Sequence, residues 1–262
     1  MKFHLEKNKC FFTMKNVLFA LPFIFFSACS SDTDNEDNNT KKGKTFTDSR
    51  DGQKYRYVQI GEQVWMAENL NYAVEGGKCC GEGGRVFIGW DLNTQPITPI
   101  TKTLSNAEVQ ANCTKYGRLY DWVTAMTLPS YCNSNSCATQ IQPKHKGICP
   151  SGWHIPSYDD WYRLMNYVGG DSAAGRYLKS TSGWYNDGNG TDQYGFSALP
   201  GGGGNLDGLF GCGGNSGIWW IAREIDYDND SYVSRWDMSS ADAVYWGATY
   251  KSELSSVRCI KD

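Results

Sequence analysis

Histidine is scarce in this chain, three in 262 residues, which leaves imidazole-based metal or general-base chemistry few places to sit. Positive charge is also short. Lysine and arginine number 25 against 28 aspartates and glutamates, a formal net charge of −3, and no basic stripe gathers anywhere, which excludes a duplex nucleic-acid binder. No internal repeat is evident, which excludes a solenoid. The glycine run after Leu199-Pro200 lacks the Lys-Ser/Thr of a nucleotide loop, so its glycines read as close-packing or turn positions.

The N-terminus reads as targeting and not as fold. Lys15-Asn16 precedes the apolar run VLFALPFIFFSA (17–28), too short to cross a bilayer as a permanent helix. Phe26-Ser27-Ala28-Cys29 resembles a lipobox, with Phe26 where leucine is usual, so residues 1–28 are expected to be a lipoprotein signal peptide and Cys29 the lipidated residue. Met14 offers a second start, since MKNVLFALPF is already a full signal. Residues 29–45 are acidic and polar, with almost nothing to bury, and should form a disordered tether. Acidic residues after the lipidated cysteine resemble the export signal of Bacteroidetes-like bacteria. The expected location is the outer membrane, lipid-anchored and facing outward, with several acyl chains as a stable anchor. Residues 46–262 then suffice for one domain.

Eight cysteines remain in that domain: Cys79, Cys80, Cys113, Cys132, Cys137, Cys149, Cys212 and Cys259. An even number on an exported chain favours disulfides, though spacing alone chooses none of the roughly hundred pairings. The stretch HKGICPSGWH sets His145, Cys149 and His154 close together. Zinc or a Cys-His nucleophile would need a free thiolate, which an oxidised exported chain would instead commit to a bridge.

Val58 and Ile60, then Val64 and Met66, alternate around Gly61-Glu62, predicting a type II′ hairpin, and Arg50-Asp51-Gly52 predicts a tight turn. Residues 76–112 read as irregular, and a helix is expected over 117–127. Ser157 caps a clearer helix carrying Asp159 and Asp160 in its first turn and Trp161, Leu164, Met165 and Val168 on one face, stopped by Gly169-Gly170. A short helix should follow over 172–178. The Gly-rich segment beyond it should be packed loop, then strands at 218–222, 232–238, 243–250 and 256–260.

RDGQKYRYVQIGEQVWMAENLNY (50–72), NCTKYGRLYDWVTAM (112–126), GICPSGWHIPSYDDW (147–161), GTDQYGFSALPGG (190–202) and SVRCIKD (256–262) together resemble the Fibrobacter succinogenes major paralogous domain family. The resemblance implies an exported, often lipid-anchored protein of a family with no assigned activity. A weaker resemblance reaches C-type-lectin-like folds, including formylglycine-generating enzymes. It implies an α+β domain with two or three helices, a small antiparallel sheet and long disulfide-pinned loops. It also implies a bond between Cys149 and Cys259. Family spacing suggests Cys113 with Cys79 or Cys80, locality suggests Cys132 with Cys137, and Cys212 is left for the other vicinal cysteine.

Lectin-like domains often hold calcium, and Asp187, Asn189 and Asp192 supply oxygens at alternating positions, as do Asp226, Asp228, Asn229 and Asp230. The first run is not an EF-hand, and solvated Asn/Asp/Gly turns explain both. Trp122 and Trp161 are expected in the core. Trp184, Tyr185, Tyr227, Trp236 and Trp246 are the ligand-binding candidates. With no catalytic constellation, the expected role is a non-catalytic surface module for a glycan or a surface protein. The alternatives are a divergent thiol or metal oxidoreductase and a structural subunit of a surface assembly.

Overall fold

The computed structural model describes residues 44–225 and 232–262. Cys29, the signal segment, nearly all of the tether, Tyr227 and the second Asp/Asn run lie outside them. The first sheet is wholly antiparallel. It contains β1 (Lys44–Thr47), β2 (Lys54–Ile60), β3 (Gln63–Met66), β7 (Trp153–His154) and β14 (Ile260–Lys261), in the order β1-β2-β3-β14-β7. The β2–β3 pair turns through Gly61-Glu62, where only Gly61 takes positive φ (60°), as a type II′ turn requires. The tight turn at 50–52 is present, with Gly52 at φ 76°.

The second sheet contains β6 (Leu119–Tyr120), β10 (Gly217–Glu224), β11 (Tyr232–Met238), β12 (Val244–Tyr250) and β13 (Ser255–Ser256). Its order is β12-β11-β10-β13-β6, antiparallel except between β10 and β13. A third sheet, β5-β4-β9-β8, contains β4 (Arg85–Asp91), β5 (Thr98–Lys102), β8 (Gly203–Gly204) and β9 (Leu209–Gly211), with β4 and β9 parallel.

Four α-helices complete the described residues: α1 (Asn106–Tyr116), α2 (Trp122–Met126), α3 (Tyr158–Tyr167) and α4 (Ala174–Leu178). α3 begins where its sequence signals place it. Ser157 Oγ accepts the Asp160 N–H at 3.1 Å while Asp160 Oδ2 accepts the Ser157 N–H at 2.9 Å, a reciprocal capping box.

The architecture is mixed α+β, but three sheets stand where one small sheet was expected. The expected helix over 117–127 is a correction: Leu119 and Tyr120 pair with β13, and Asp121 caps a single turn from Trp122. α1 and the β4–β5 hairpin lie within the stretch read as irregular. α1 buries only Val109, Cys113 and Tyr116, too few for a hydrophobic period to reveal.

The core has two main parts. In one, Trp161 of α3 meets Trp65 of β3 (ring centroids 5.0 Å), Trp219 of β10 (6.0 Å) and Trp236 of β11 (6.2 Å), so this helix is wedged between the first two sheets. The other surrounds Trp122, Trp220 and the Cys149–Cys259 bond.

Candidate functional site

Four disulfides brace this frame: Cys79–Cys113, Cys80–Cys212, Cys132–Cys137 and Cys149–Cys259. With Cys149 bonded, the cluster at 145–154 offers no thiolate. His145 Nδ1 accepts the Gln142 N–H, so Nε2 carries the proton that it gives to the Met126 carbonyl at 2.8 Å. His154, 3 % exposed, lies between Asp262 Oδ1 (2.8 Å) and Asp160 Oδ2 (3.5 Å). Burial pushes the Asp160 carboxyl up, but hydrogen bonds from His154 and from the Ser157 side chain and backbone outweigh it and hold it down to about 2. The stretch is a staple and a capped chain reversal.

Two of the three calcium candidates already hold hydrogen bonds within their own loop. Asn189 Oδ1 accepts the Trp184 N–H (3.0 Å), and both Asp192 oxygens accept from Ser197, N–H and Oγ–H, at 2.6 Å. These oxygens are committed to turns that fold the loop back on itself. Among the described residues no group of three or more His, Cys, Asp or Glu is placed to hold a metal. In the glycine run, Gly202 has φ 72° and a Cβ there would stand 1.5 Å from the Gly211 carbonyl, so close backbone packing explains it.

Buried cations were missed by sequence reasoning. Lys179 Nζ donates to the carbonyls of Ser239, Ser240 and Ala241. Lys251 Nζ donates to Cys132 O and Asn135 O and pairs with Glu224 at 2.7 Å. Arg258 donates to Asn69 Oδ1 and to the Phe196 carbonyl. Each fixes a loop by satisfying carbonyls that no strand reaches. Nothing in local sequence marks a lysine as interior, because most are solvated.

The aromatic candidates divide sharply. Trp184 and Trp236 are corrections: they are 4 % and 2 % exposed, Trp184 donating its indole N–H to Ala198 O and Trp236 packed on Trp161. Tyr185 is exposed and Tyr227 lies outside the described residues. Trp246 is 41 % exposed, and register explains why. Trp219, Trp236 and Trp246 sit opposite one another across β10, β11 and β12, a row of indoles running from the core to the sheet's edge strand.

At that edge Trp246 meets Tyr158 of α3 at 6.3 Å with rings nearly perpendicular (85°). One helical turn on, Tyr162, 47 % exposed, lies nearly parallel to Tyr158 at 6.2 Å. The exposed Arg223 of β10 places its guanidinium 5.1 Å from the Tyr158 ring and 6.0 Å from that of Trp246. This corner offers two exposed ring faces and a cation with no carboxylate paired to it among the described residues. Such a group is suited to stacking and hydrogen bonding.

Three clefts are also present. One of about 280 Å³ is lined by Lys54, Arg56, Asn69 and Lys115. Another of about 270 Å³ lies between the second and third sheets against Arg235 and Glu253, whose carboxyl burial raises despite Arg235. A third, about 240 Å³, holds the His154 cluster.

No curated protein and no solved structure matches the chain. The profile of the Fibrobacter succinogenes major domain does, from β2 to β14, over residues 58–261, and the chain belongs to that family.

Proposed function

We propose that this chain is a non-catalytic cell-surface lipoprotein, anchored through Cys29 to the outer membrane, whose domain from about residue 46 to 262 binds a carbohydrate at the Trp246–Tyr158–Tyr162–Arg223 corner. The carrying observation is that corner: aromatic rings rooted in the core by the indole row, yet left open at a sheet edge beside an exposed guanidinium. Sugar rings present flat apolar faces and hydroxyl or carboxylate rims, which match rings and arginine respectively. A lectin-like ancestry for the scaffold belongs to this reading. So does the absence of catalysis, supported by all eight cysteines of the described domain being bonded.

The test is a glycan array with the mature chain carrying Cys29→Ser, followed by Trp246→Ala and Tyr162→Ala. Each is expected to weaken binding about tenfold, or ~1.4 kcal/mol, with the unfolding midpoint nearly unchanged. Trp236→Ala, one strand inward, should instead lower stability by about 3–5 kcal/mol. A folded protein that binds no glycan, or one whose binding ignores both substitutions, refutes the assignment. Retention of a surface protein in its place would make the module a protein receptor.

A further inference from the structure

The β4–β5 hairpin gathers five exposed large apolar side chains. Ile88, Trp90, Leu92, Ile97 and Ile100 are 60, 58, 71, 49 and 43 % exposed. Soluble domains seldom leave such a group uncovered without use. Among the described residues the hairpin pairs with the body at its base: β9 pairs with Arg85 and Val86, and Phe87 lines the cleft between sheets, while from Gly89 to Ile100 β4 and β5 pair with each other.

Strand addition is not what this edge offers. Pro99 lies in the edge strand and the register shifts between Phe87 and Gly89, both devices that blunt a free edge. The surface is therefore read through side chains. Those are four aliphatics and one indole, with Asp91 the only charge between Phe87 and Thr101, and its Oδ1 accepts the Asn93 N–H. Protein hot spots favour tyrosine and arginine beside tryptophan, whereas indole plus aliphatics without net hydrogen-bonding demand suits the boundary between headgroups and acyl chains.

We infer that the hairpin tip docks into a lipid surface. The inference rests on the anchored reading in one respect. Fourteen residues separate Cys29 from Lys44, spanning at most roughly 50 Å when fully extended. An anchor that short keeps the domain beside the bilayer, where a weak insertion becomes effectively intramolecular. The hairpin is then a second, reversible contact that fixes which face of the domain points outward.

Two measurements decide it. The full chain with Cys29→Ser, which cannot be acylated, is sedimented with vesicles of equal parts phosphatidylethanolamine and phosphatidylglycerol. It should co-sediment, and Trp90→Ser/Leu92→Ser should lower the partition coefficient by at least about tenfold without shifting the unfolding midpoint. In the lipidated chain, amide exchange over 87–101 should slow on the same vesicles relative to detergent-free solution. Equal sedimentation of parent and double variant overturns the inference. So does exchange that slows with protein concentration in the absence of lipid, which would assign the tip to a second copy. An unmodified Cys29 found by mass spectrometry overturns the anchored reading alone, since partition of the Cys29→Ser chain is read independently of it.

Discussion

The guanidinium of Arg258 lies 4.3 Å from the centroid of the Phe196 ring and donates to the carbonyl of the same residue, with no ion pair to it among the described residues. Asn69 Oδ1 takes two further hydrogen bonds from this guanidinium and one from the Trp219 indole, so one amide oxygen ties Arg258 to β10 while the guanidinium itself reaches the Gly-rich loop at Phe196. Burial pushes the Arg258 group down to about 9, opposed by the distant charges of Asp192 and Glu68.

Arg258→Ala should therefore destabilise the domain by about 3 kcal/mol or more, leaving a void and orphaned acceptors. Arg258→Lys should recover little, because an ammonium cannot reach Asn69 and Phe196 together in the plane that the guanidinium uses. Urea unfolding of the three proteins measures both; equal midpoints would mean the group is a passenger.

Acid stability should carry the mark of Asp160. Its carboxyl is held at about 2 against an ordinary 3.8, so its contribution is complete above pH 3.8 and is lost as pH falls from there towards 2. The contribution is about 1–2 kcal/mol after allowance for solvent screening. Asp160→Asn should lower the unfolding free energy by that amount at neutral pH, and the gap from wild type should close near pH 2. A gap that persists at pH 2 would assign the effect to packing.

Loss of disulfides should rank by the chain each one closes. Cys149–Cys259 spans 110 residues and Cys132–Cys137 spans 5, so replacing each pair by alanine should cost about 4–5 and about 2 kcal/mol respectively. Unfolding of the two double variants under non-reducing conditions gives the comparison. A larger loss at the short loop would show that Lys251, which donates to the Cys132 carbonyl, depends on that bridge.

Gly202 and Gly52 separate crowding from backbone conformation. Both have positive φ, 72° and 76°, but an added Cβ meets the Gly211 carbonyl at 1.5 Å in the first and nothing within 4 Å in the second. Gly52→Ala should cost about 1 kcal/mol and Gly202→Ala about 3 or more, read from thermal unfolding. Similar losses would locate the whole penalty in φ.

Where local chemistry decides structure, the chain announces it: the Gly61-Glu62 turn, the Ser157 cap and the face of α3 all follow from neighbours within a few residues. The α1 helix was legible too, through Ser105 and Glu108, which form a capping box there, although its sparse apolar face concealed it. Strand partners set the rest. Trp236 lies between Arg235 and Asp237 and Trp246 between Tyr245 and Gly247, and it is the position of β12 at the sheet edge that leaves one indole in the core and the other exposed. Lys179, Lys251 and Arg258 were illegible for the same reason, since the carbonyls they satisfy lie between about 60 and 190 residues away or belong to loops whose course sequence does not fix.

The interior lysine and arginine also alter how the molecule looks from outside. Lys251 is neutralised by Glu224, but Lys179 and Arg258 have no acid in contact among the described residues, so two positive charges are hidden from solvent. The exterior is accordingly more anionic than the formal −3 suggests. A partner that reads individual surface side chains therefore meets a more acidic exterior than composition implies, while the far field still follows the net charge.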